Sequence, residues 1–305
     1  MGRSPTAGGW GLGGFQDGIG SMTVTDPFAQ VAALPGVADA VADARGAVDR
    51  LLGHRILRRR SAEVSTESAL RAARASAALE GVPVTLDELR KDAAAALAES
   101  DDGPPPAASN GAAHIDPVVQ GSLRVSAELG TLPTTWRNAP RQVLARLHVL
   151  VAADAVESDD LGRPRTDDRS ATDPLGLGAP PPPAEVAARL DALSALLTQP
   201  TKAPAAVVAA IVHGELLSLR PFGWGDGIVA RAAERLTLVE RGLDPKSLTA
   251  PEVGHAEFAA EYAKAAQAYL TGTPEGVAAW VRHCAAALKA AARDSLAICE
   301  AYMRG

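Results

Sequence analysis

The stretch from Leu216 to Arg231 constrains the fold most, because it places a tight glycine loop between two helical segments. An apolar helical segment ends near Arg220, and a second helix is predicted to begin at Ile228. Between them, Gly223–Gly227 holds three glycines in five residues. Glycine lets backbone N–H groups turn inward, and the helix that follows adds its positive N-terminal end. The stretch therefore predicts an anion-binding loop, suited to a phosphate, between two helices.

Helical periodicity dominates the remainder of the chain, and β-strand signals are scarce. Thr85 and Glu88 form a capping box that predicts a helix over Leu86–Leu97. The segment Ser158–Pro183 is polar and rich in proline, glycine and aspartate, which predicts one long surface loop. One helical face carries Val186, Leu190, Leu193 and Leu197. We therefore predict an all-α fold, a helical bundle with a long surface loop or flap.

Two further helices are predicted over His255–Leu270 and Pro274–Tyr302, and their Tyr262 and Trp280 are expected in the core. The glycine-rich opening has no periodicity and predicts disorder, and a proline-rich stretch predicts a connector. The predicted organisation is a disordered leader (1–21), an N-terminal helical extension (22–60), further helices (61–100), a linker (101–113) and a helical core (114–303).

The charge and the cysteines limit the setting of the protein. The net charge of −6 and the pI near 5.6 disfavour a nucleic-acid-binding surface. No signal peptide or long apolar run is evident. Cys284 and Cys299 lie fifteen residues apart on one predicted helix, hence about 22 Å apart and beyond disulfide reach. These features predict a cytoplasmic protein whose partners are neither nucleic acid nor membrane.

A second motif lies upstream, in a helix predicted to begin near Thr66. Its Ser76 and Glu80 are four residues apart and so share one helical face, and Gly81 supplies a helix stop. This pattern arises often by chance in an alanine-rich helix. Its interpretation therefore depends on the glycine loop downstream.

The glycine loop resembles the motif of the Fic family, whose pattern is His-Pro-Phe-any-acid-Gly-Asn-Gly-Arg-any-any-Arg. The resemblance covers about Arg60 to Ala301 and implies an all-α Fic-like core. The upstream motif resembles the inhibitory helix of many Fic proteins, whose glutamate pairs with the final arginine of the loop motif. Contact between Glu80 and Arg231 is therefore expected. The matching loop positions are Pro221, Phe222, Gly225, Gly227 and Arg231, and the differing ones are Arg220, Trp224, Asp226 and Ile228.

Weaker matches follow the family in the same order. Leu147 with His148, followed by Leu161–Arg165, resembles the family's helix and substrate-aligning flap. His213 matches a histidine that is common on the helix before the loop, and we expect it to pack in the core. The spacing of the six histidines resembles no metal-binding pattern, so no metal site is predicted.

The differing positions are those that carry the family's chemistry, the transfer of AMP from ATP to a protein hydroxyl. The motif histidine is the general base, but Arg220 stays protonated and cannot accept a proton near neutrality. The acidic position ligates Mg²⁺, which Trp224 cannot do, so Mg²⁺ is not expected. Asp226 replaces an N–H donor by an acceptor, and Ile228 removes a phosphate-binding charge. Loss of the base alone costs a factor of about 10²–10⁴ in rate.

We therefore interpret the chain as a pseudoenzyme, an impaired relative of protein adenylyltransferases with an anion- or nucleotide-type cleft and no assigned catalytic residue. The resemblance implies ATP or another nucleotide as its ligand. Two alternatives stay open: a divergent, active transferase that uses a nucleotide or other phosphate donor, and a non-catalytic scaffold. The scaffold would act as a homodimer, as the partner of an active Fic protein, or with an unknown protein partner or target. The predicted cleft residues are Arg220, Gly223, Gly225, Asp226, Gly227 and Arg231, and the inhibitory-like residues are Ser76, Glu80 and Gly81.

Overall fold

The computed structural model of the chain describes residues 26–91, 115–168 and 171–304. These residues form helices and loops with no β-strand among them, which confirms the predicted all-α fold. The leader (1–21), the linker (101–113) and residues 92–97 of the helix predicted over Leu86–Leu97 lie outside the described residues. Residues 86–91 are helical, and a 3₁₀ turn spans Leu129–Thr131. The other helices are α1 (Pro27–Ala32), α2 (Val37–Leu52), α3 (Leu57–Leu79), α4 (Pro117–Glu128), α5 (Pro133–Asn138), α6 (Pro140–Ala152), α7 (Pro183–Leu197), α8 (Ala205–Leu219), α9 (Asp226–Glu240), α10 (Pro251–Glu257), α11 (Ala259–Leu270) and α12 (Pro274–Arg304).

Proline opens many of these helices. Its ring fixes φ near about −65° and it lacks the N–H that a first turn leaves free, so it suits the first helical position. The predicted capping box is also present: the N–H of Thr85 donates to the Glu88 carboxylate at 2.8 Å, and the N–H of Glu88 donates to Oγ1 of Thr85 at 3.2 Å. Local signals thus set most helix starts. The opening prolines are Pro27, Pro117, Pro133, Pro140, Pro183, Pro251 and Pro274.

The helices α8 and α9 pack along each other at the centre of the fold. α8 is apolar on all sides, and every residue from Ala206 to Leu219 is buried. A helix of this kind has to be surrounded by other helices. Residues 228–238 of α9 are buried as well. The α8–α9 hairpin therefore fixes the glycine loop at one end of the core.

The long helix α12 packs against α2, α8, α10 and α11. Trp280 of α12 is fully buried, and its Nε1–H donates to the carbonyl oxygen of Ala210 at 2.7 Å. Tyr262 of α11 is also fully buried, so both aromatic residues are core residues as the sequence predicts. α10 approaches α12 at Gly254, where an added Cβ would overlap the carbonyl oxygen of Ala287. Glycine is required there because the two helix backbones touch.

The prediction of a single helix over His255–Leu270 is wrong. The segment forms parts of two helices, α10 and α11, which are separated by Phe258. The backbone of Phe258 leaves the helical region, with φ −111° and ψ 42°. Both helices pack on α12, and α10 is held close to it at Gly254. The helix therefore breaks at Phe258 because of a tertiary contact and not because of a local stop signal.

The N-terminal helices α1 and α2 belong to the same core as the hairpin. Phe28, Val41 and Val48 are buried in it, and α2 packs along α12. Within the described ranges, no helix combines the length and apolar character that crossing a membrane requires.

We expect Gly254→Ala to destabilise the fold. The added methyl group would push α10 and α12 apart, and overpacking of this kind lowers the free energy of unfolding by about 1–3 kcal/mol. Urea denaturation followed by circular dichroism measures the loss. Gly130→Ala is the matched control, because an added Cβ there meets no atom within 4 Å. Equal stability of the two variants would show that α10 and α12 are not in backbone contact.

Candidate functional site

The glycine loop joins α8 to α9 through left-handed backbone. Arg220 ends α8 with φ 40° and ψ 63°, and Gly225 precedes α9 with φ 68°. This conformation costs a non-glycine residue about 1–2 kcal/mol, so the surroundings of Arg220 hold it in place. α9 begins at Asp226, two residues before the predicted start at Ile228, because the Asp226 side chain folds back onto the loop.

The carboxylate of Asp226 occupies the inside of the glycine loop. Its Oδ1 accepts a hydrogen bond from the N–H of Phe222 at 2.9 Å, and its Oδ2 accepts one from the N–H of Gly223 at 2.7 Å. Asp226 is only 2% exposed. These two inward-turned N–H groups therefore donate to an anion that belongs to the chain itself.

Burial opposes the ionisation of Asp226. It raises the pKa of this carboxyl to about 7, although the two amide donors and the nearby Arg220 lower the pKa. Glu80 adds to the rise as a second negative charge. The charge inside the loop therefore changes near neutral pH.

The guanidinium of Arg220 is buried and holds the long loop. Its Nη2 donates to the carbonyl oxygen of Gly178 at 2.6 Å, and its Nη1 lies 3.6 Å from Oδ1 of Asp173. Asp173 in turn accepts hydrogen bonds from the N–H groups of Leu177 and Gly178, both at 2.8 Å. Arg220 thus brings a positive charge to the start of the glycine loop but offers no basic atom.

The long loop over Ser158–Pro183 packs onto the glycine loop through its backbone. The N–H of Arg165 donates to the carbonyl oxygen of Pro221 at 2.7 Å, and the N–H of Thr172 donates to that of Gly223 at 2.9 Å. Backbone hydrogen bonds of this kind fix the two segments relative to each other. The long loop is therefore one wall of the candidate site.

His148 of α6 connects the two loops. Its ring stacks on Phe222 with centroids 4.2 Å apart, and its Nδ1 accepts a hydrogen bond from the N–H of Gly162 at 2.9 Å. Burial lowers the pKa of His148 to about 4. The ring is therefore neutral at pH 7 and adds no charge to the site.

The expected contact between Glu80 and Arg231 is present. Nη2 of Arg231 donates to Oε1 of Glu80 at 2.7 Å, and its Nε donates to Oγ of Ser76 at 3.0 Å. Arg231 is 1% exposed, and Gly81 follows the end of α3 with φ 88°. An added Cβ at Gly227 would overlap Oε1 of Glu80. The missing side chain of Gly227 therefore lets the end of α3 lie against the start of α9.

The loop residues do not fit a magnesium–nucleotide site. Both carboxylate oxygens of Asp226 accept backbone hydrogen bonds, and Trp224 has no oxygen to offer. Ile228 is buried in the core, and its side chain carries no charge. Arg220 and Arg231 both donate to groups of the chain itself. No catalytic step through Mg²⁺ follows from these side chains.

A separate cavity of about 800 Å³ lies between α3, α4 and α9. Its walls include Ser65, Leu123 and Arg235 but none of the predicted site residues. Its volume is in the range of small-molecule sites. A ligand there would contact α3, the helix that leads to Glu80, without touching the glycine loop.

The sequence does not reveal a buried polar cluster around Glu234. His213 is buried as expected, but its Nε2 lies 2.8 Å from the hydroxyl of Tyr262 and its Nδ1 lies 2.7 Å from Oε2 of Glu234. Nε2 of His255 lies 2.8 Å from the same carboxylate oxygen. These residues come from α8, α9, α10 and α11, so no spacing within one segment could have revealed them.

The fold and the site together define an all-α protein with a glycine loop between two buried helices, covered by a long loop. Solved structures of Fic family proteins share this fold. A Fic family protein from Desulfovibrio desulfuricans G20 has a TM-score of 0.63 and 18% identity, over 87% of this chain and 75% of that chain. Fic-1 from C. elegans has a TM-score of 0.62 and 18% identity, over 87% of this chain and 73% of that chain. A variant of Fic-1 has a TM-score of 0.61 and 19% identity, over the same shares.

The chain thus has a Fic fold. No protein-family model and no curated protein matches the sequence. At 18–19% identity the likeness defines the fold alone, and the chemistry has to be argued from the side chains.

We expect Glu80 and Arg231 to be energetically coupled. Removal of one partner of a buried pair leaves an uncompensated charge and costs about 3–5 kcal/mol, so Glu80→Ala and Arg231→Ala should each destabilise the fold. In a double-mutant cycle measured by urea denaturation, the two effects should deviate from additivity by about 0.5–3 kcal/mol. Arg71 and Asp294, a partly exposed pair between α3 and α12, serve as control and should couple by less than about 1 kcal/mol. Additive effects at positions 80 and 231 would contradict the buried contact.

We expect Asp226 to lower the free energy of unfolding as the pH rises from about 4 to about 7. A carboxyl whose pKa is raised by folding favours the folded state most while it is protonated, and this contribution is lost as the pH rises through the folded pKa. Asp226→Asn does not titrate, so its stability relative to wild type should increase over this range, by at most about 4 kcal/mol. Urea denaturation at about pH 5 and about pH 8 gives both differences.

Asp43→Asn is the control for this pH series, because Asp43 is exposed on α2. Its difference from wild type should change little between the two pH values. A difference for Asp226→Asn that is equally constant would show that Asp226 ionises like an exposed aspartate.

Proposed function

We propose that this protein is a pseudoenzyme with a Fic fold, whose nucleotide-type cleft is occupied by its own side chains. The observation that carries the proposal is the carboxylate of Asp226, which accepts the loop N–H groups of Phe222 and Gly223. A phosphate in the same place would have to displace this carboxyl group, and above the Asp226 pKa of about 7 it would also meet a negative charge. The self-occupied loop therefore opposes the binding of ATP, or of another nucleotide, in a position for transfer.

The bases among the described residues near the loop are engaged within the chain, which supports the loss of catalysis. Asp226 and Asp173 accept backbone N–H groups, and Glu80 pairs with Arg231. In AMP transfer to a protein hydroxyl, a positioned base has to take the hydroxyl proton. Arg220 cannot do so, because a guanidinium stays protonated near neutrality. His148 is neutral, but its Nδ1 already accepts the N–H of Gly162 and its ring is stacked on Phe222. A missing base lowers the rate by a factor of about 10²–10⁴.

The contact between Glu80 and Arg231 supports the same conclusion from the other side of the loop. In the Fic motif the final arginine is the group that the inhibitory glutamate holds. Here Arg231 donates to Glu80 and to both the hydroxyl and the carbonyl oxygen of Ser76. A nucleotide phosphate that approached Arg231 would have to break a buried ion pair. Two carboxylates thus block the cleft. That of Asp226 lies inside the glycine loop, and that of Glu80 pairs with Arg231 of α9.

A scaffold function is the second candidate, and the attachment of the long loop favours it. Arg220 aligns with the catalytic histidine of the Fic motif, but it contacts Gly178 and Asp173. These contacts hold the long loop on the glycine loop. A fold whose site residues stabilise each other keeps its shape without a ligand. It could then serve a protein partner, a target or a second copy through its surface. Saturable binding of ATP by the wild-type protein would count against the scaffold as well as against the self-occupied cleft.

Label transfer from α-labelled ATP tests the proposal. Wild-type protein and Glu80→Gly, each with Mg²⁺ and with a cell lysate as source of targets, are expected to label neither themselves nor other proteins. An active Fic enzyme is the positive control, and Glu63→Gly, which removes an exposed glutamate from the same helix, is the matched variant. Labelling by Glu80→Gly above Glu63→Gly would show that the loop still catalyses transfer and would refute the pseudoenzyme.

Calorimetric titration with ATP separates blocked binding from lost catalysis. The wild-type protein is expected to show no saturable binding at about 1 mM ATP, a concentration that detects a Kd in the millimolar range. Asp226→Asn combined with Glu80→Gly removes both blocking carboxylates and should bind more tightly than wild type. Tight binding by the wild-type protein would contradict the self-occupied cleft.

A further inference from the structure

We propose that His213, Glu234, His255 and Cys284 form a tetrahedral site for a divalent transition metal, with Zn²⁺ as the best fit. They offer two ring nitrogens, a carboxylate oxygen and a sulfur, and these four atoms lie within 4.8 Å of one another. Closed, four-coordinate sets of such ligands are typical of structural zinc. The inference is independent of the proposed pseudoenzyme function, because none of the four residues belongs to the glycine loop.

The four side chains converge from four helices at the centre of the core. His213 lies on α8, Glu234 on α9, His255 on α10 and Cys284 on α12, and all four are buried. The rings of His213 and His255 meet edge to face, with centroids 4.9 Å apart and an interplanar angle of 78°. One nitrogen of each ring therefore approaches the same oxygen of Glu234, at 2.7 and 2.8 Å.

The outer nitrogen of each histidine ring is held by a further side chain. Nε2 of His213 lies 2.8 Å from the hydroxyl of Tyr262, and Nδ1 of His255 lies 3.1 Å from Nε2 of His283. Histidines that ligate a metal usually have their second nitrogen fixed by such a partner, which sets the tautomer and the ring orientation. The inner nitrogens are thus oriented toward one point by groups outside the proposed ligand set.

Hydrogen bonding alone leaves this cluster incomplete. Nδ1 of His213 is 2.7 Å from Oε2 of Glu234 but forms no well-directed hydrogen bond with it. Among the ion pairs of the described residues, Glu234 pairs with His213 and His255 and with no arginine or lysine. A buried carboxylate without a strong cation, beside a ring nitrogen without a directed partner, is costly. A bound cation would satisfy both groups.

Metal binding would require only small side-chain movements. Ligands at about 2.0–2.3 Å from one Zn²⁺ lie about 3.3–3.7 Å apart in a tetrahedron. The contacts of Glu234 with the two histidines would therefore open by roughly 0.5–1 Å, and ligand atoms as far as 4.8 Å apart would approach each other by about 1–1.5 Å. Side-chain rotations supply shifts of this size without moving the helix backbones.

The charges balance in the bound state. Histidine binds a metal ion through its neutral ring. Cysteine binds a metal ion as the thiolate, so Zn²⁺ binding releases the thiol proton of Cys284 to solvent. With two neutral imidazoles, the carboxylate and the thiolate cancel the two charges of Zn²⁺. The complex is then neutral, as a fully buried site requires.

Metal content tests the proposal directly. Full-length protein from a zinc-supplemented culture, or refolded with ZnCl₂, is expected to hold about one zinc per chain by elemental analysis and to melt at a lower temperature once a chelator removes it. Protein refolded with CoCl₂ should show tetrahedral cobalt absorption with a thiolate-to-cobalt charge-transfer band. Cys284→Ser should lose this band. Cys299→Ser should keep it, because Cys299 is also buried on α12 but lies outside the cluster.

The outcomes separate a metal site from a hydrogen-bonded network. A wild-type protein that holds no zinc after both preparations, and whose melting temperature responds neither to Zn²⁺ nor to a chelator, overturns the proposal. Stoichiometric zinc that persists in both Cys284→Ser and His255→Gln also overturns it, because the metal then lies elsewhere. If these variants do not fold, the zinc content and the charge-transfer band of the wild-type protein decide the question.

Discussion

The buried charges of α9 are the constraint on which the rest of the structure depends. This helix runs through the centre of the core and carries Asp226, Arg231, Glu234 and Arg235, each at most 2% exposed. An ion in a protein interior costs several kcal/mol unless it is paired and hydrogen bonded. Each charge therefore needs a partner from another part of the chain. Asp226 accepts from the loop amides, and Arg231 donates to Glu80 at the end of α3. Glu234 lies against the histidines of α8 and α10, and Arg235 donates to Oγ of Ser247 at 2.8 Å. The packing of α9 thus decides which segments have to meet.

The sequence predicts well whatever depends on neighbours along the chain. The all-α class, the helix start at Pro274, the capping box at Thr85 and the helix stop at Gly81 all rest on local signals. The contact between Glu80 and Arg231 spans 151 residues, and only the resemblance to a known motif pointed to it. The break at Phe258 could not be predicted, because it follows from the contact of α10 with α12. The same holds for the cluster around Glu234, which four helices assemble.

The altered loop positions form an internally consistent set. The backbone keeps the shape of a phosphate-binding turn, with left-handed residues on both sides of Phe222 and a helix N-terminus after it. Asp226 places a negative charge on the inside of this turn, and Arg220 lies close enough to lower the pKa of that carboxyl. Arg220 also reaches Asp173 in the long loop. The N–H groups of Phe222 and Gly223 thus donate to a side chain of the same loop, whereas Nε and Nη1 of the buried Arg220 have no hydrogen-bond partner among the described residues.

Gly227 and Glu80 share one small volume, since an added Cβ at residue 227 would overlap the carboxylate of Glu80. The two positions therefore cannot change independently during evolution. A side chain at 227 requires a shorter residue at 80 or a different position for the end of α3, whereas loss of Glu80 opens residue 227 to alanine or serine. In an alignment of related sequences, residues 80 and 227 should therefore covary. The residue pair in each sequence would show whether the end of α3 packs on the loop in that protein.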